Sequence, residues 1–535
     1  MAASKLGRLG SSGSHNILKT TVAKAWYALI VFNFGAVLFG YDVAIFGSLQ
    51  VTKSWLGTFG SPNKQGVYSI TATQQSLLNS IPWLGKLFGI FLSEPLNERY
   101  GYKTSMVVAC ALQSTGVVVQ MAGRHWGIFC AGRTIVYSAI GYMENIVPLY
   151  VGEIVYPQSR GFFIACYSLI MSAAQIWANG SIQGISHYTT EVGWLIVCGM
   201  QLIPVVFILS GIRWCPSSPR WLLQKGRHDE ALQALASLRT EEDNQSGWVD
   251  MEIRSVQEAI EAEKMTVNNS WLDLFKGTNF RRTRVTRLVS FNCAKANFSE
   301  TPDRRVVVHR QSVDWQSSQA FLYTLIKSVV SLVAVFCVML LVDKMGRRFC
   351  IISGCFMQCV FLYLLAGMGM AANPSKAELN TMVAAIQLFT FFCRFSVNAL
   401  AFLIPTEVSS LTLRKKTMAL GCVVDVIAAF VVTFVIPYLI GKQYANLSSK
   451  VGFIFGGFTT LYMIWAIFCL PELKDRSLEE VDELFNSKIW AWQFSKYKTK
   501  SLAGMVAHHQ AGDVLGKAQQ EEVEATQTQE IKSGQ

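Results

Sequence analysis

Eleven apolar runs, each of about 20 residues, dominate this 535-residue chain. That length is what an α-helix needs to cross about 30 Å of hydrocarbon. Only 15% of the residues are charged, whereas soluble proteins average about 25%. We therefore predict an all-α membrane protein with spans near 25–46, 75–96, 104–122, 126–150, 162–184, 192–214, 319–342, 350–371, 382–405, 417–440 and 452–470.

Two different motifs occur twice, at nearly the same separation. The first is a glutamate seven residues before an arginine, at Glu153 and again at Glu407. The second reads NERYGYK from residue 97 and VDKMGRR from residue 342. Two motifs that repeat with one offset indicate an internal duplication. We therefore predict two pseudo-symmetric six-helix halves, which would require twelve spans.

Polar segments divide the chain around these halves. The connections rich in Lys and Arg fall on one side, which the positive-inside rule assigns to the cytoplasm together with both termini. The net charge of +12 therefore indicates orientation in a bilayer and not binding to nucleic acid. The predicted domains are a cytoplasmic tail at 1–24, a six-helix bundle at 25–214, a cytoplasmic linker of amphipathic helices at 215–284, a second bundle at 285–470 and a cytoplasmic tail at 471–535.

Nothing in the sequence favours an enzyme. The seven histidines are scattered, and the thirteen cysteines show no C-x-x-C pair and fall mostly inside apolar runs. We find no phosphate-binding loop and no nucleophile with an adjacent base, so we predict no catalytic residue, no metal site and no cofactor. Residues 1–23 are polar, so we predict no cleavable signal peptide.

The segment 285–318 contradicts the duplication. The missing twelfth span should lie there, yet a charged residue near mid-bilayer costs about 2.5–3.5 kcal/mol on insertion scales. If the segment does not cross, every later span inverts, and Arg347, Arg348 and Arg414 face outward. Its charged residues are Arg287, Lys295, Glu300, Asp303, Arg304, Arg305, Arg310 and Asp314.

Six motifs in order carry a family resemblance. They are FGYD (39–42), NERYGYK (97–103), PLYVGEIVYPQSRG (148–161), CPSSPRWLLQKGR (215–227), VDKMGRR (342–348) and LPELKDRSLEEVDELF (470–485). With them the chain resembles the sugar porters of the major facilitator superfamily, and among these the fungal-type hexose and α-glucoside proton symporters. The departures are Glu94, Tyr102, Ser217 and Leu473.

The resemblance also bears on the contradictory segment. The seventh helix, where the family carries paired glutamines for sugar binding, is absent, while the sequence on both sides matches again. We therefore hypothesise a frameshift or a mis-spliced exon between about Ala296 and Gln316.

The resemblance implies that Asp42 and Arg133 couple proton binding to sugar movement. A carboxylate beside an arginine stays ionised until the arginine moves away. A static ion pair that joins two helices is the alternative.

Glu144 lies eleven residues after Arg133, about 16 Å along the same helix face. It could relay a proton, bind a hydroxyl or simply make an interhelical hydrogen bond. Lys86 and Glu94 are too far apart along one helix to pair, and we assign them no role.

Sugar recognition needs groups that both donate and accept hydrogen bonds, and amides do so best. Gln175 matches a sugar-binding glutamine of the family, and Ser168 stands in the place of a second. A helix–helix hydrogen bond is the alternative role for Gln175. The further candidates are Asn179, Asn398, Phe402 and Asp425.

The resemblance implies a cytoplasmic gate of ion pairs between the two halves. Such pairs near water are worth about 1 kcal/mol or less, which suits a latch that opens in every cycle. A role as topology signals is the alternative, although acidic residues contribute little to orientation. Tyr102 and Ser217 predict a weaker latch on the N-terminal half. The gate residues are Glu98, Arg99, Glu153, Arg160, Arg220, Asp343, Arg347, Arg348, Glu407, Arg414 and Glu472.

Three functions remain open at this stage. The first is a secondary active transporter in the plasma membrane, a monomer in the lipid bilayer that imports a hexose or α-glucoside with a proton by alternating access. The second is a transporter-like sugar sensor, although the tail after the last span is short for one. The third is a non-functional relic of a porter whose seventh helix is lost.

Overall fold

A computed structural model defines the architecture of the chain. The residues that it describes are 22–62, 68–155, 160–185, 187–245, 247–265, 271–294, 317–370, 375–398, 400, 404, 408–409, 413–440, 444–474, 481, 484–485, 487 and 489–497.

The first half is built from long helices and one short hairpin. The hairpin pairs β1 (Ser61–Pro62) with β2 (Tyr68–Ser69) in antiparallel register. The helices are α1 (Ala23–Leu49), α2 (Lys53–Phe59), α3 (Ala72–Ala122), α4 (Trp126–Ile154), α5 (Arg160–Ile185), α6 (Val192–Gly199) and α7 (Leu202–Gly211), the last continued by a 3₁₀ turn at Ile212–Trp214.

Helix α3 is two spans joined end to end. Gly101 has φ +80°, a conformation open to glycine because it has no Cβ, and the helix is kinked there. The predicted spans 75–96 and 104–122 therefore lie within α3, one on each side of Gly101.

Short helices follow before the second half. They are α8 (Pro219–Gln224), α9 (His228–Ala236), α10 (Glu241–Gln245) and α11 (Trp248–Met265). Apolar residues of α8, α9 and α11 form a small core of their own, with Leu222, Leu235 and Ile253 buried in it. We call the side of the molecule that carries these helices the linker face.

The second half begins earlier than the sequence predicted. After a 3₁₀ turn at Trp271–Phe275, its helices are α12 (Gly277–Ala294), α13 (Ser317–Met345), α14 (Arg347–Met368), α15 (Lys376–Cys393) with a π-helical end at Arg394–Asn398, α16 (Arg414–Ile440) and α17 (Val451–Cys469). Short 3₁₀ turns lie at Ser448–Lys450 and Ala491–Lys496.

Helix α12 corrects part of the expectation for 285–318. The charges of that segment were predicted to prevent its unaided insertion, yet its first ten residues continue α12, and Val285 and Val289 are buried with apolar residues of α13, α14 and α17. The guanidinium of Arg282 lies 4.6 Å from the ring centre of Phe485, and Arg281 donates to the carbonyl of Ile489 at 2.6 Å. These arginines are therefore compensated within the protein. Residues 295–316 lie outside the described part.

Eight helices of the described residues are long and apolar enough to cross a membrane, fewer than the eleven spans predicted. They are Ala23–Leu49, Ala72–Ala122, Val192–Trp214, Leu322–Val342, Arg347–Met368, Asn380–Val397, Lys416–Ile440 and Val451–Cys469. The difference has two sources, because α3 contains two predicted spans and because α4 and α5 are not among the eight. Helices still occupy both of these ranges.

Glycines bring α3 and α4 into backbone contact. A Cβ added at Gly85 would meet the carbonyl oxygen of Thr134, and one at Gly89 would meet that of Ser138. From the other side, a Cβ at Gly141 would meet the carbonyl oxygen of Lys86. Small residues allow membrane helices to approach this closely. The two helices therefore form a tightly packed pair.

In the part of the chain that the structure describes, the most extensive contacts between the halves join α3 with α16 and α5 with α13. On the side away from the linker face, Ser76 donates to the carbonyl of Phe434 at 2.9 Å, and Tyr438 donates to the hydroxyl of Thr73 at 3.4 Å. These bonds hold the halves together on that side.

Candidate functional site

The predicted pair of Asp42 and Arg133 is present and buried. A guanidinium nitrogen of Arg133 lies 3.2 Å from a carboxylate oxygen of Asp42, and the side chains are 3% and 1% exposed. Arg133 also donates to the carbonyl of Leu78 at 2.9 Å and to the hydroxyl of Tyr137 at 3.3 Å. Its guanidinium carbon lies 3.4 Å from the ring centre of Phe46. The arginine thus has several fixed partners besides the carboxylate.

A second buried ion pair joins α3 to α4. The ammonium of Lys86 lies 2.7 Å from the carboxylate of Glu144, with side chains 3% and 12% exposed. The same ammonium lies 4.6 Å from the ring centre of Phe39 and 5.1 Å from that of Trp83. Glu144 therefore makes an interhelical contact, one of the alternatives predicted for it. No partner was predicted for Lys86 from the sequence. Glu94, the other charge considered with it, is exposed.

Asp425 of α16 brings a third charge to this pair. Its carboxylate interacts electrostatically with both Lys86 and Glu144. Because α16 belongs to the second half, the group spans the boundary between the halves. We call Lys86, Glu144 and Asp425 the central cluster.

The amide of Asn179 lies at the junction of three helices. Its nitrogen donates to the hydroxyl of Ser328 on α13 at 2.8 Å, and its oxygen accepts from Ser48 on α1 at 3.2 Å. Gln175 lies one turn earlier on α5 and is buried, and its backbone carbonyl accepts a second bond from the Asn179 amide at 3.0 Å. The sequence predicted the two amides but missed both serines, because single serines in apolar helices are common.

The other predicted sugar ligands are Ser168, Asn398 and Phe402. Ser168 is half-buried on α5, and its carbonyl accepts a bond from Ser172 at 3.0 Å. Asn398 ends the π-helical segment after α15, and its side chain lies outside the described part, as does all of Phe402.

On the linker face, Glu153 contacts a residue of the first half and a residue of the linker. It accepts hydrogen bonds from the hydroxyl of Tyr102 at 2.8 Å and from that of Ser218. Tyr102, which stands where the family usually has an arginine, therefore supplies a neutral donor. The backbone carbonyl of Glu98 accepts from the indole of Trp221 at 3.1 Å, so α3 is held against α8 next to its turn at Gly101.

In the second half, Glu472 caps the start of α14. Its carboxylate accepts the backbone N–H groups of Arg347 and Arg348 at 3.0 and 3.1 Å, and those of Leu473 and Lys474 at 3.0 and 3.1 Å. Anionic groups are favourable at helix N-termini. Arg348 also donates to the carbonyl of Ile467 at 2.6 Å.

The structure describes some of the remaining gate residues and not others. Arg99 is exposed and stacks 5.4 Å from the ring centre of Tyr100, and Arg220 is half-buried at the start of α8. Outside the described part lie the whole of Glu407 and the side chains of Arg160, Asp343 and Arg414.

Comparison with known proteins identifies the family. Residues 28–485 match the family described as "Sugar (and other) transporter". The chain belongs to this family. The predicted resemblance to sugar porters is thereby confirmed, and so is the prediction of a transporter instead of an enzyme. As a Sugar (and other) transporter with apolar helices, the chain is an integral multi-pass membrane protein.

Curated relatives in this family are yeast permeases. The general alpha-glucoside permease of Saccharomyces cerevisiae is 26% identical over 490 residues, which cover 90% of this chain and 78% of the permease. The low-affinity glucose transporter HXT1 of the same yeast is 22% identical over 496 residues, covering 90% of this chain and 85% of HXT1.

A solved structure confirms the fold. The structure of the MFS proton:xylose symporter XylE bound to 6-bromo-6-deoxy-D-glucose matches with a TM-score of 0.69 at 17% identity, covering 86% of this chain and 99% of XylE. The predicted major facilitator fold is therefore confirmed.

Proposed function

We propose that this member of the family imports a hexose or α-glucoside together with a proton by alternating access. The observation that carries the proposal is the buried contact of Asp42 with Arg133 at 3.2 Å. Beside the guanidinium the carboxylate is favoured in its ionised form, and without it a proton is favoured in its place. A helix movement that separates the two groups would therefore load a proton.

The amides of α5 support a sugar site beside this pair. An amide can donate to one sugar hydroxyl and accept from another. Asn179 bonds to both Ser48 and Ser328, which lie on α1 and on α13 of the other half. A sugar would exchange these protein bonds for bonds to its hydroxyls. We assign Gln175 to the same role, with Ser168, Asn398 and Phe402 as further ligands of the proposed site.

The linker face would be cytoplasmic, with both termini on that side of the plasma membrane. The basic loops identified in the sequence support this orientation. The carboxylates of Glu153 and Glu472 organise the linker face of each half, which suits the proposed gate. We propose that the working unit is a monomer.

Transport in cells that lack their own sugar uptake tests the proposal. The full chain should accumulate labelled glucose or maltose, and added sugar should make the medium more alkaline. Asp42→Asn should lower uphill accumulation, because an amide at this site cannot carry a proton. Asp250→Asn, an acid-to-amide change at an exposed position of α11, is the matched control and should leave accumulation intact.

Other outcomes would contradict the proposal in different ways. Uptake without alkalinisation would indicate a uniporter. Sugar binding and a transcriptional response without uptake would indicate a sensor. Failure to reach the membrane would indicate a relic, and sequencing of the transcript across codons 280–320 would then show whether the reading frame is continuous.

A further inference from the structure

The three charges of the central cluster lie at mid-membrane depth. Lys86 is midway between Ala72, where α3 begins, and the turn at Gly101. Glu144 and Asp425 lie near the midpoints of α4 and α16. In transporters built from repeats, coupling ions bind near the bilayer midplane between the repeats. Three separate helices place a charge at that depth here.

The charges of the cluster do not balance. Lys86 supplies one positive charge, whereas Glu144 and Asp425 supply two negative charges when both are ionised. Among the residues that the structure describes, the charged groups that act on Asp425 are Lys86 and Glu144. Two further titratable groups face the cluster, the Cys422 thiol on α16 and the Tyr167 hydroxyl on α5, and neither adds a positive charge. Because one ammonium cannot fully compensate two carboxylates, a proton is favoured on whichever carboxylate loses the support of that ammonium.

The geometry favours Asp425 as the proton acceptor. Glu144 has the direct contact with Lys86 at 2.7 Å, and both lie in the tightly packed pair of α3 and α4. Asp425 acts on the same ammonium from the other half, and its chain neighbour Val426 is buried in one apolar cluster with Trp83 of α3. Alternating access moves the halves against each other, so the contact of α3 with α16 must change during transport. The electrostatic support that Lys86 gives to Asp425 therefore depends on the conformation.

We propose that Asp425 is a second proton-binding residue of the transport cycle, controlled by Lys86. This inference rests on the proposed function. When the halves part at this interface, a carboxylate oxygen of Asp425 takes a proton from water on the open side. When Lys86 returns, that O–H bond breaks and the proton leaves to water on the other side. Glu144 holds Lys86 in place throughout.

Proton and sugar fluxes measured together test this assignment. The full-length protein in proteoliposomes, with maltose and glucose as probes, gives the number of protons moved per sugar. Asp425→Asn should lower that ratio by about half, because one of two proton sites is lost. Asp425→Glu, which keeps an ionisable carboxyl, and the exposed control Asp250→Asn should keep the wild-type ratio.

The outcomes separate the two proposals. A wild-type protein that moves sugar without protons would overturn the proposed function. A wild-type protein that couples the two, with the same ratio in Asp425→Asn, would overturn only the role of Asp425.

A measurement on the wild-type protein covers the case in which Asp425→Asn fails to assemble. Carbodiimides react with protonated carboxyl groups in apolar surroundings, and mass spectrometry locates the modified peptide. Labelling of Asp425 that declines as the pH rises would support the proposal. Labelling of Glu144 with Asp425 unmodified, or labelling of Asp425 that is independent of pH, would overturn it.

Discussion

Replacing Lys86 by methionine should destabilise the protein more than any other single change in the central cluster. At 2.7 Å and an effective dielectric constant of about 20, attraction to Glu144 is about 6 kcal/mol before the cost of removing both groups from water. Removing one partner of a buried ion pair typically costs about 3–5 kcal/mol. Lys86→Met leaves two carboxylates without a cation, so we expect a loss of stability at the upper end of this range, about 5 kcal/mol.

Replacing Glu144, the partner of Lys86, should cost less stability. Glu144→Gln leaves the ammonium of Lys86 with Asp425, so we expect about 3 kcal/mol or less. The double variant with both changes removes the pair as a unit, and replacing both partners is often close to neutral. It should therefore be more stable than Lys86→Met alone.

Thermal unfolding of the purified full-length protein in detergent, followed by tryptophan fluorescence, measures this order. Lys225→Met at an exposed position is the matched control and should melt with the wild type. Equal melting temperatures for the two single variants, with the double variant lower by the sum of both shifts, would refute the reasoning. The three charges would then act independently.

Two further predictions concern the framework around the sites. Gly89→Ala puts a methyl group against the carbonyl oxygen of Ser138, so α3 and α4 must separate at a cost of about 1–3 kcal/mol; Gly57→Ala, which meets nothing within 4 Å, should melt like the wild type. Glu472→Gln removes the negative charge from the start of α14 and should cost about 1 kcal/mol, with faster amide hydrogen exchange at Arg348. An unchanged exchange rate there would mean that the charge is unimportant for this cap.

The sequence predicted the first ion pair but not the second, for a physical reason. Motif resemblance pointed to Asp42 and Arg133 together. Helical periodicity shows which residues share a face of one helix. It does not show which residue of a neighbouring helix lies opposite each of them, so no partner could be predicted for Lys86. Backbone contacts between α3 and α4, such as that of Gly141 with Lys86, place Lys86 opposite Glu144. Glycines close to Lys86 in one helix and to Glu144 in the next are the signal that could have found the pair.

The second bundle was predicted to begin at residue 285, but its first helix begins at Gly277. The reason is related. Insertion scales treat each arginine of α12 as if lipid surrounded it. In the structure Arg282 lies against Phe485, about 200 residues further along the chain, and Arg281 donates to the carbonyl of Ile489. Partners so distant in sequence cannot be read from local composition. The segment 296–316 was predicted to be anomalous, and that hypothesis stands as a prediction.

Helix α4 carries the partner of a buried charge on each of two earlier helices, and this affects how the protein is made. Asp42 and Lys86 leave the ribosome before Arg133 and Glu144 exist. A central charge costs about 2.5–3.5 kcal/mol to place in lipid on insertion scales. The first two spanning segments therefore benefit from staying beside the translocon until α4 arrives. A chain truncated before α4 should be recognised by quality control as unfinished.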